Sequence, residues 1–382
     1  MFAFACSTND PQDFDHEIKL IRERHIPDQR LMYWDIHTTT LNDKLVLKGA
    51  TVSEAAYIEL EKMAQQNRLD FQFELLPQKK FIENPWALVT LSVCNIRAKG
   101  THPSELSTQA LLGTPVKVYK EEDGWYLVQT PDHYFGWVDR AAISLKSKEE
   151  LALWKQQEKV IYTKQSGTGF VSANLEKPEL DLVMGDLLNV LTSTSNSYEI
   201  ILPDDRKAFV KKEECCSLGV WKQKQIDLKE LISTAFVYKG TPYLWGGTSP
   251  KMFDCSGFTK TVFYRQGLIL QRDASQQTLY GELVDTSEGY DKLQPGDLLF
   301  FGRKEAPDYA EKVTHAGLYI GNKKFIHASG KVRVNSLDPL SEDYAEYYEK
   351  AFVSARRIIG HADGKGIEWI YDNEFYKQIL SE

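Results

Sequence analysis

FDCSGF at 253–258, followed by THAGLYIG at 314–321 and FIHAS at 325–329, sets one cysteine and two histidines in the order of a thiol nucleophile, its base and a group that orients the base. Phe258, Val262 and Phe263 continue from Cys255 at helical spacing, which predicts a helix opening at the cysteine. A thiol there faces unpaired backbone N–H groups and the positive end of the helix dipole, so a lowered pKa and a thiolate near neutrality are expected. His315 and His327 fall in β-rich runs, 313–320 and 324–328, on either side of Gly321-Asn322, which predicts a hairpin. Twelve residues apart, the two histidines can meet across neighbouring strands. An imidazole can take a thiol proton near neutral pH, and a second one can hold the first in the right tautomer. On Cys and His alone, a buried structural cysteine with two unrelated histidines stays open.

Two further stretches narrow the reading: PYLWGG at 242–247 and LQPGDLLFF at 293–301. With the cysteine and histidine segments, they closely resemble the NlpC-type family of cell-wall cysteine peptidases, whose catalytic domain is papain-like. The resemblance covers about 227–359. It implies Cys255 as nucleophile, His315 as base and His327 as orienting residue, with the Tyr243 hydroxyl and the Cys255 N–H holding the oxyanion. For Tyr243, packing beside Trp245 is the alternative. RDASQQ at 272–277 resembles the family segment that faces the substrate, with Ala274 in place of a serine, so that Ser275 is the nearby hydroxyl.

The chain has 382 residues, 42% of them hydrophobic and 26% charged, which suits several globular domains with substantial cores. A net charge of −8 and no basic patch argue against nucleic acid as a partner. Cys6, Cys94, Cys215, Cys216 and Cys255 form neither a disulfide framework nor a zinc spacing. Cys215 and Cys216 read as two ordinary thiols, with a vicinal disulfide as the alternative. MFAFACSTND at the start is like the end of a lipoprotein signal ending at Cys6, without a basic or full apolar region before it. No stretch is long and apolar enough to span a bilayer. A monomer in the bacterial envelope or periplasm, tethered through Cys6, is one expectation; a cytoplasmic recycling enzyme is the other.

The expected fold class is α+β: an N-terminal α/β extension (1–85), two small SH3-like β-barrels (86–147 and 148–218), a papain-like catalytic domain (225–360) and a C-terminal extension (361–382). In the first segment, the helix 51–67 is expected to be capped by Thr51 in a capping box with Glu54. From Trp86 the pattern becomes short alternating strands with turns, the mark of a small barrel. It resembles a bacterial SH3-like domain at Asn95–Arg97, Ala110–Gly113, Asp123–Trp125 and Gly136–Val138, with a weaker copy after 148. A lysine-rich connector leads to a helix at 227–238. The last segment reads as an aromatic-rich helix, with Trp369, Tyr371, Phe375 and Tyr376 as packing residues.

Amide hydrolysis through a thioester follows from a thiolate paired with an imidazole, and it calls for no metal or cofactor. The resemblance narrows the substrate to a cell-wall peptide, cut between γ-D-glutamate and lysine or diaminopimelate. Two SH3-like domains before such a peptidase resemble the subgroup that cleaves free peptides beginning with L-alanine, in which the first barrel closes the cleft. A buried ammonium needs acceptors; Asp254, Asp273, Glu105 and Tyr134, with Ser256 and Ser275, are the candidate binding set. Asp254 is equally suited to capping the helix, and Glu105 to being a solvated loop carboxylate. An endopeptidase anchored to intact wall and a thiol acyltransferase are the competing functions.

Overall fold

The computed structural model describes residues 12–42, 44–221 and 225–380; Cys6 and the centre of the lysine-rich connector lie outside them. The chain divides into two compact units, 1–85 with 118–121, and the remainder.

The first unit is a three-stranded sheet with two helices. Strands Trp34–Leu41 and Lys44–Thr51 pair antiparallel, and Asp70–Leu75 joins the second in parallel through the crossover helix Glu54–Gln66. A parallel neighbour requires such a crossover. Helix Gln12–His25 packs beside it, and Phe14, Ile18, Leu47, Leu60, Met63 and Phe73 fill the core. The cap is Ser53, whose Oγ accepts from the Ala56 N–H at 3.2 Å. Thr51 is occupied elsewhere: it ends a strand, paired with Trp34 on one side and Leu75 on the other.

In the second unit, two seven-stranded antiparallel sheets lie between 86 and 145 and between 159 and 217. Helix Lys148–Gln156, closed by a Ser147/Glu150 capping box, joins them. The buried Asp186 carboxylate ties one to the other, accepting from Val183 N–H at 2.8 Å and Leu112 N–H at 3.2 Å. A six-stranded sheet follows, in the order Glu282–Leu283, Phe352–Arg357, Leu298–Arg303, Lys312–Gly321, Lys324–Ser329, Lys331–Ser336. Strand alternation gives it two apolar faces. Leu298, Phe300, Ala316, Leu318 and Ile326 meet Phe258, Val262 and Phe263 of the helix Cys255–Tyr264; Leu299, Phe301, Phe325 and Phe352 share the other face with Tyr348. Helix Leu228–Val237 is capped by Asp227, which accepts from Lys229 and Glu230 N–H groups.

The C-terminal segment is not the expected aromatic helix. Ile367–Trp369 pairs with Leu268–Leu270, and a 3-10 turn occupies Tyr376–Gln378. Ile370, Tyr376, Ile379 and Leu380 enter a core with Leu88, Leu151, Trp154, Leu187, Trp221 and Ile269, residues drawn from both seven-stranded sheets, the helix that joins them and the segment after the helix Cys255–Tyr264. Tyr371 packs against the same core, while Trp369 packs against the one formed by the helix Cys255–Tyr264 and the six-stranded sheet. The four aromatics are packing residues, Phe375 buried edge-on to Trp86. Cys94, Cys215 and Cys216 are free thiols.

Candidate active site

Asp254 caps the helix Cys255–Tyr264, its Oδ1 accepting from the Gly257 N–H at 2.7 Å. The DCSG glycine follows from close packing: a Cβ on Gly257 would lie 2.0 Å from the Gly247 carbonyl oxygen. Asp254 also accepts from the Gly246 N–H at 3.0 Å and from both terminal nitrogens of Arg272. Arg272 is 1% exposed, and it reaches Ser256 Oγ at 3.2 Å as well. Ser256 in turn donates to Asp254 at 3.3 Å. Five donors thus converge on one buried carboxylate, about as many as its lone pairs accommodate. Cap and counter-ion are the roles that this geometry gives Asp254, and Ser256 is drawn into the same network.

Cys255 is buried, with its sulfur against the N–H groups of Ser256 and Ala316. Since Ala316 follows His315, the thiol lies against the histidine strand. The two histidine strands pair antiparallel, with Leu318 opposite Ile326. The turn sits one residue later than expected, at Asn322 and Lys323, both with positive φ as a type I′ hairpin requires. His315 Nε2 meets His327 Nδ1 at 2.7 Å, and His327 Nε2 meets Asn335 Oδ1 at 2.9 Å. Tyr348 packs edge-on to His327 and tilted over His315, with ring centroids 4.7 and 5.2 Å away; its hydroxyl donates to Ser329 at 2.9 Å.

This burial reverses the expected titration. It pushes the Cys255 thiol up to about 11, with the adjacent Asp254 charge adding to the effect. A helix N-terminus contributes up to about 2 kcal/mol for a partly buried charge, and here desolvation outweighs it. Burial likewise depresses His315 to about 3, helped by His327 and Arg333, and His327 to about 4, against the bond to Asn335. Burial thus favours the neutral thiol and the neutral imidazole over the charged forms.

Tyr243 is half-buried, packed against the catalytic core, with its hydroxyl pKa raised by burial and by the nearby Cys255 and Asp254. It stays a proton donor beside the sulfur. The first barrel supplies the facing wall. Gln109 exchanges hydrogen bonds with Thr248 at 2.9 and 3.0 Å, and Gly246, at φ +81, allows the approach of Leu106, whose carbonyl oxygen would lie 2.1 Å from a Cβ there. Glu105 accepts from the exposed Trp245 indole at 2.5 Å, so it is not merely solvated. The Tyr134 hydroxyl donates to Asp273 at 3.2 Å. Ser275 is half-buried on the short helix Ala274–Gln277, while Ala274 turns into the catalytic core. Cys255, His315, His327, Tyr243, Asp254 and Ser256 are thus gathered at the helix start, and Tyr134 and Glu105 of the barrel reach Asp273 and Trp245 across the junction, with Ser275 on the short helix after Asp273. Arg272 was read only as part of RDASQQ, not as the partner of Asp254, and Tyr348 and Asn335 escaped the sequence reading. A charged residue two positions after the apolar run LIL was the available signal for Arg272; nothing local marks the other two.

Among the described residues, no helix is long and apolar enough to cross a membrane, and no group of three His, Cys, Asp or Glu side chains could hold a metal. Residues 240–357 match the NlpC/P60 family, and 96–143 match the bacterial dipeptidyl-peptidase Sh3 domain. The chain is 30% identical to the gamma-D-glutamyl-L-lysine dipeptidyl-peptidase of Bacillus cereus (strain ATCC 10987 / NRS 248) over 272 residues, 68% of this chain and 77% of that protein. It is 28% identical to the Bacillus subtilis (strain 168) protein of the same name over 260 residues, 66% of this chain and 81% of the relative. A crystal structure of an NlpC/P60 family protein from Bacillus cereus ATCC 10987 superposes with a TM-score of 0.60 at 25% identity, covering 71% of this chain and 99% of that one.

Proposed function

Because the chain belongs to the NlpC/P60 family, we propose that it is a cysteine peptidase hydrolysing the γ-D-glutamyl to diamino acid bond of cell-wall peptides that carry a free N-terminal L-alanine. The observation that carries this reading is the first barrel packed against the stretch leading into Cys255, with Glu105 on Trp245, Leu106 on Gly246 and Gln109 on Thr248. The names of the Bacillus relatives support the bond, and the match of the barrel supports the short substrate.

In this reading His315 Nδ1, the nitrogen not engaged by His327, takes the thiol proton as the sulfur attacks the γ-carbonyl carbon. The carbonyl π electrons move to oxygen, where the Tyr243 hydroxyl and the Cys255 N–H stabilise the charge. Collapse breaks the C–N bond, and the His315 proton leaves on the diamino acid amine. Water then attacks the thioester, giving its proton to His315 and restoring the thiol. Glu105, Tyr134 and Asp273 receive the L-alanine ammonium. Asp254, fully engaged by its own donors, acts through helix position. The substrate pool is soluble wall fragments.

Competition between L-Ala-γ-D-Glu-diamino acid and its N-acetylated form tests the reading. Acetylation removes the charge and adds bulk at the closed end, so kcat/KM should fall by orders of magnitude. Equal rates on the two peptides, or efficient solubilisation of whole sacculi, would instead identify an endopeptidase of intact wall.

A further inference from the structure

His327 lies between two partners, with Nδ1 at 2.7 Å from His315 Nε2 and Nε2 at 2.9 Å from Asn335 Oδ1. Buried and neutral, it owns one N–H and one lone pair. Which nitrogen carries the proton is decided at its outer end. Asn335 donates its own Nδ2–H to the Asp343 carbonyl oxygen at 3.2 Å, which leaves Oδ1 turned to the imidazole. An amide oxygen only accepts, so His327 must carry its proton on Nε2. Its Nδ1 is then the lone pair that accepts from His315 Nε2–H. A neutral His315 protonated at Nε2 has its lone pair on Nδ1.

We propose that Asn335 is a positioning residue, which fixes the tautomers of both histidines and thereby makes His315 Nδ1 the base for the thiol. The inference rests on the active-site reading above. With a donor in place of Oδ1, both tautomers would reverse: His327 would donate from Nδ1, His315 would accept at Nε2, and the His315 proton would sit on Nδ1, where it blocks proton transfer from sulfur. The fold holds Asn335 in place from behind. It sits on strand Lys331–Ser336 opposite Phe325, and the chain returns along it: the Ser336 N–H also donates to the Asp343 carbonyl oxygen at 2.8 Å, while Lys324 pairs with the Asp343 carboxylate at 3.0 Å. One backbone carbonyl, eight residues along the chain, thus orients the amide that orients the base.

The test uses the full chain labelled with 15N-histidine, together with Asn335→Leu and Asn335→Asp. In the resting wild type, both His315 and His327 should give the spectrum of Nε2–H tautomers. Asn335→Leu, similar in size but without an acceptor, should mix the His327 tautomers and lower kcat at least ~10-fold with KM nearly unchanged, since the base and not the substrate contact is lost. Asn335→Asp keeps an acceptor at Nε2 and should recover most of that loss. An Nδ1–H tautomer at His327 in the wild type, or wild-type kcat in Asn335→Leu, overturns the proposal. Retained turnover in Cys255→Ala would defeat the active-site reading instead, and the wild-type spectrum would still decide the tautomer on its own.

Discussion

Replacing Asp254 with Asn separates the two roles that the sequence left equal. Asn caps a helix as well as Asp does, so the Gly257 bond survives in kind. What disappears is the counter-charge of Arg272, which is 1% exposed, while Asp254 is 6% exposed. Arg272 has little to fall back on: its Nε is buried without a partner among the described residues, Asp273 is 3.8 Å away, and Ser256 is a neutral acceptor. Removing one member of a buried pair leaves an uncompensated charge and costs about 3–5 kcal/mol, whereas removing both is close to neutral. Urea unfolding at pH 7.5 should therefore show Asp254→Asn less stable by about 3–5 kcal/mol, and Asp254→Ala by roughly 1 kcal/mol more for the lost cap. The double variant Asp254→Asn, Arg272→Met should regain at least about 2 kcal/mol over the sum of the singles. If Asp254 were instead an open acceptor for the substrate ammonium, Asp254→Asn would keep its stability and raise KM for free-amine peptides alone. A stability loss under ~1 kcal/mol, or additivity in the cycle, would refute the structural assignment.

The residues proposed to be catalytic were legible as a group because the chemistry proposed for them writes itself into short, local signals. Cys255 opens an amphipathic helix, and the two histidines flank a tight turn in alternating strands, so spacing alone could bring them together. The barrels were legible for the same reason, through regular strand alternation between turns. What sequence could not supply was burial. The thiolate expectation rested on the helix dipole, a local term, and failed because burial of Cys255 by the surrounding fold raises its pKa by more than the Ser256 and Ala316 N–H groups lower it. The Thr51 cap failed similarly: its pattern fits a capping box, but pairing to Trp34 and Leu75 claimed the residue for a strand. At the C-terminus, helical periodicity in 361–382 lost to a tertiary demand, because Ile367–Trp369 completes a ladder with Leu268–Leu270. Partners such as Arg272 for Asp254 and Asn335 for His327 exist only in three dimensions.

Cys255→Ala should abolish turnover with its unfolding midpoint nearly unchanged. Iodoacetamide should inactivate the wild type at a rate that climbs with pH well above neutrality, while chelators leave activity intact; a plateau already reached at pH 7 would show a preformed thiolate. Ending the chain at Ile359 removes Ile370, Tyr376, Ile379 and Leu380 from the core shared with both barrels, together with the Asn373 bond to the Pro131 carbonyl at 2.8 Å beside Tyr134. That truncation should lower stability by several kcal/mol, measured by urea unfolding. The final prediction concerns acid. His315 and His327 titrate at about 3 and about 4 in the folded protein, against about 6.5 unfolded. Depressed folded values mean that the unfolded chain binds more protons between those limits, so stability is complete above pH ~6.5 and declines as pH falls below it. At pH 5 each histidine should cost the fold about 1.36 × 1.5, or roughly 2 kcal/mol, and the pair roughly 4 kcal/mol. Carboxylates titrate over the same range, so the measurement is a difference: unfolding free energy at pH 7.5 minus that at pH 5, in wild type and in the His315→Gln, His327→Gln double variant. The variant's difference should be smaller by roughly 4 kcal/mol. An unchanged difference would mean that the two imidazoles protonate in the folded site about as easily as in water, and that they are not the buried neutral pair from which the base was derived.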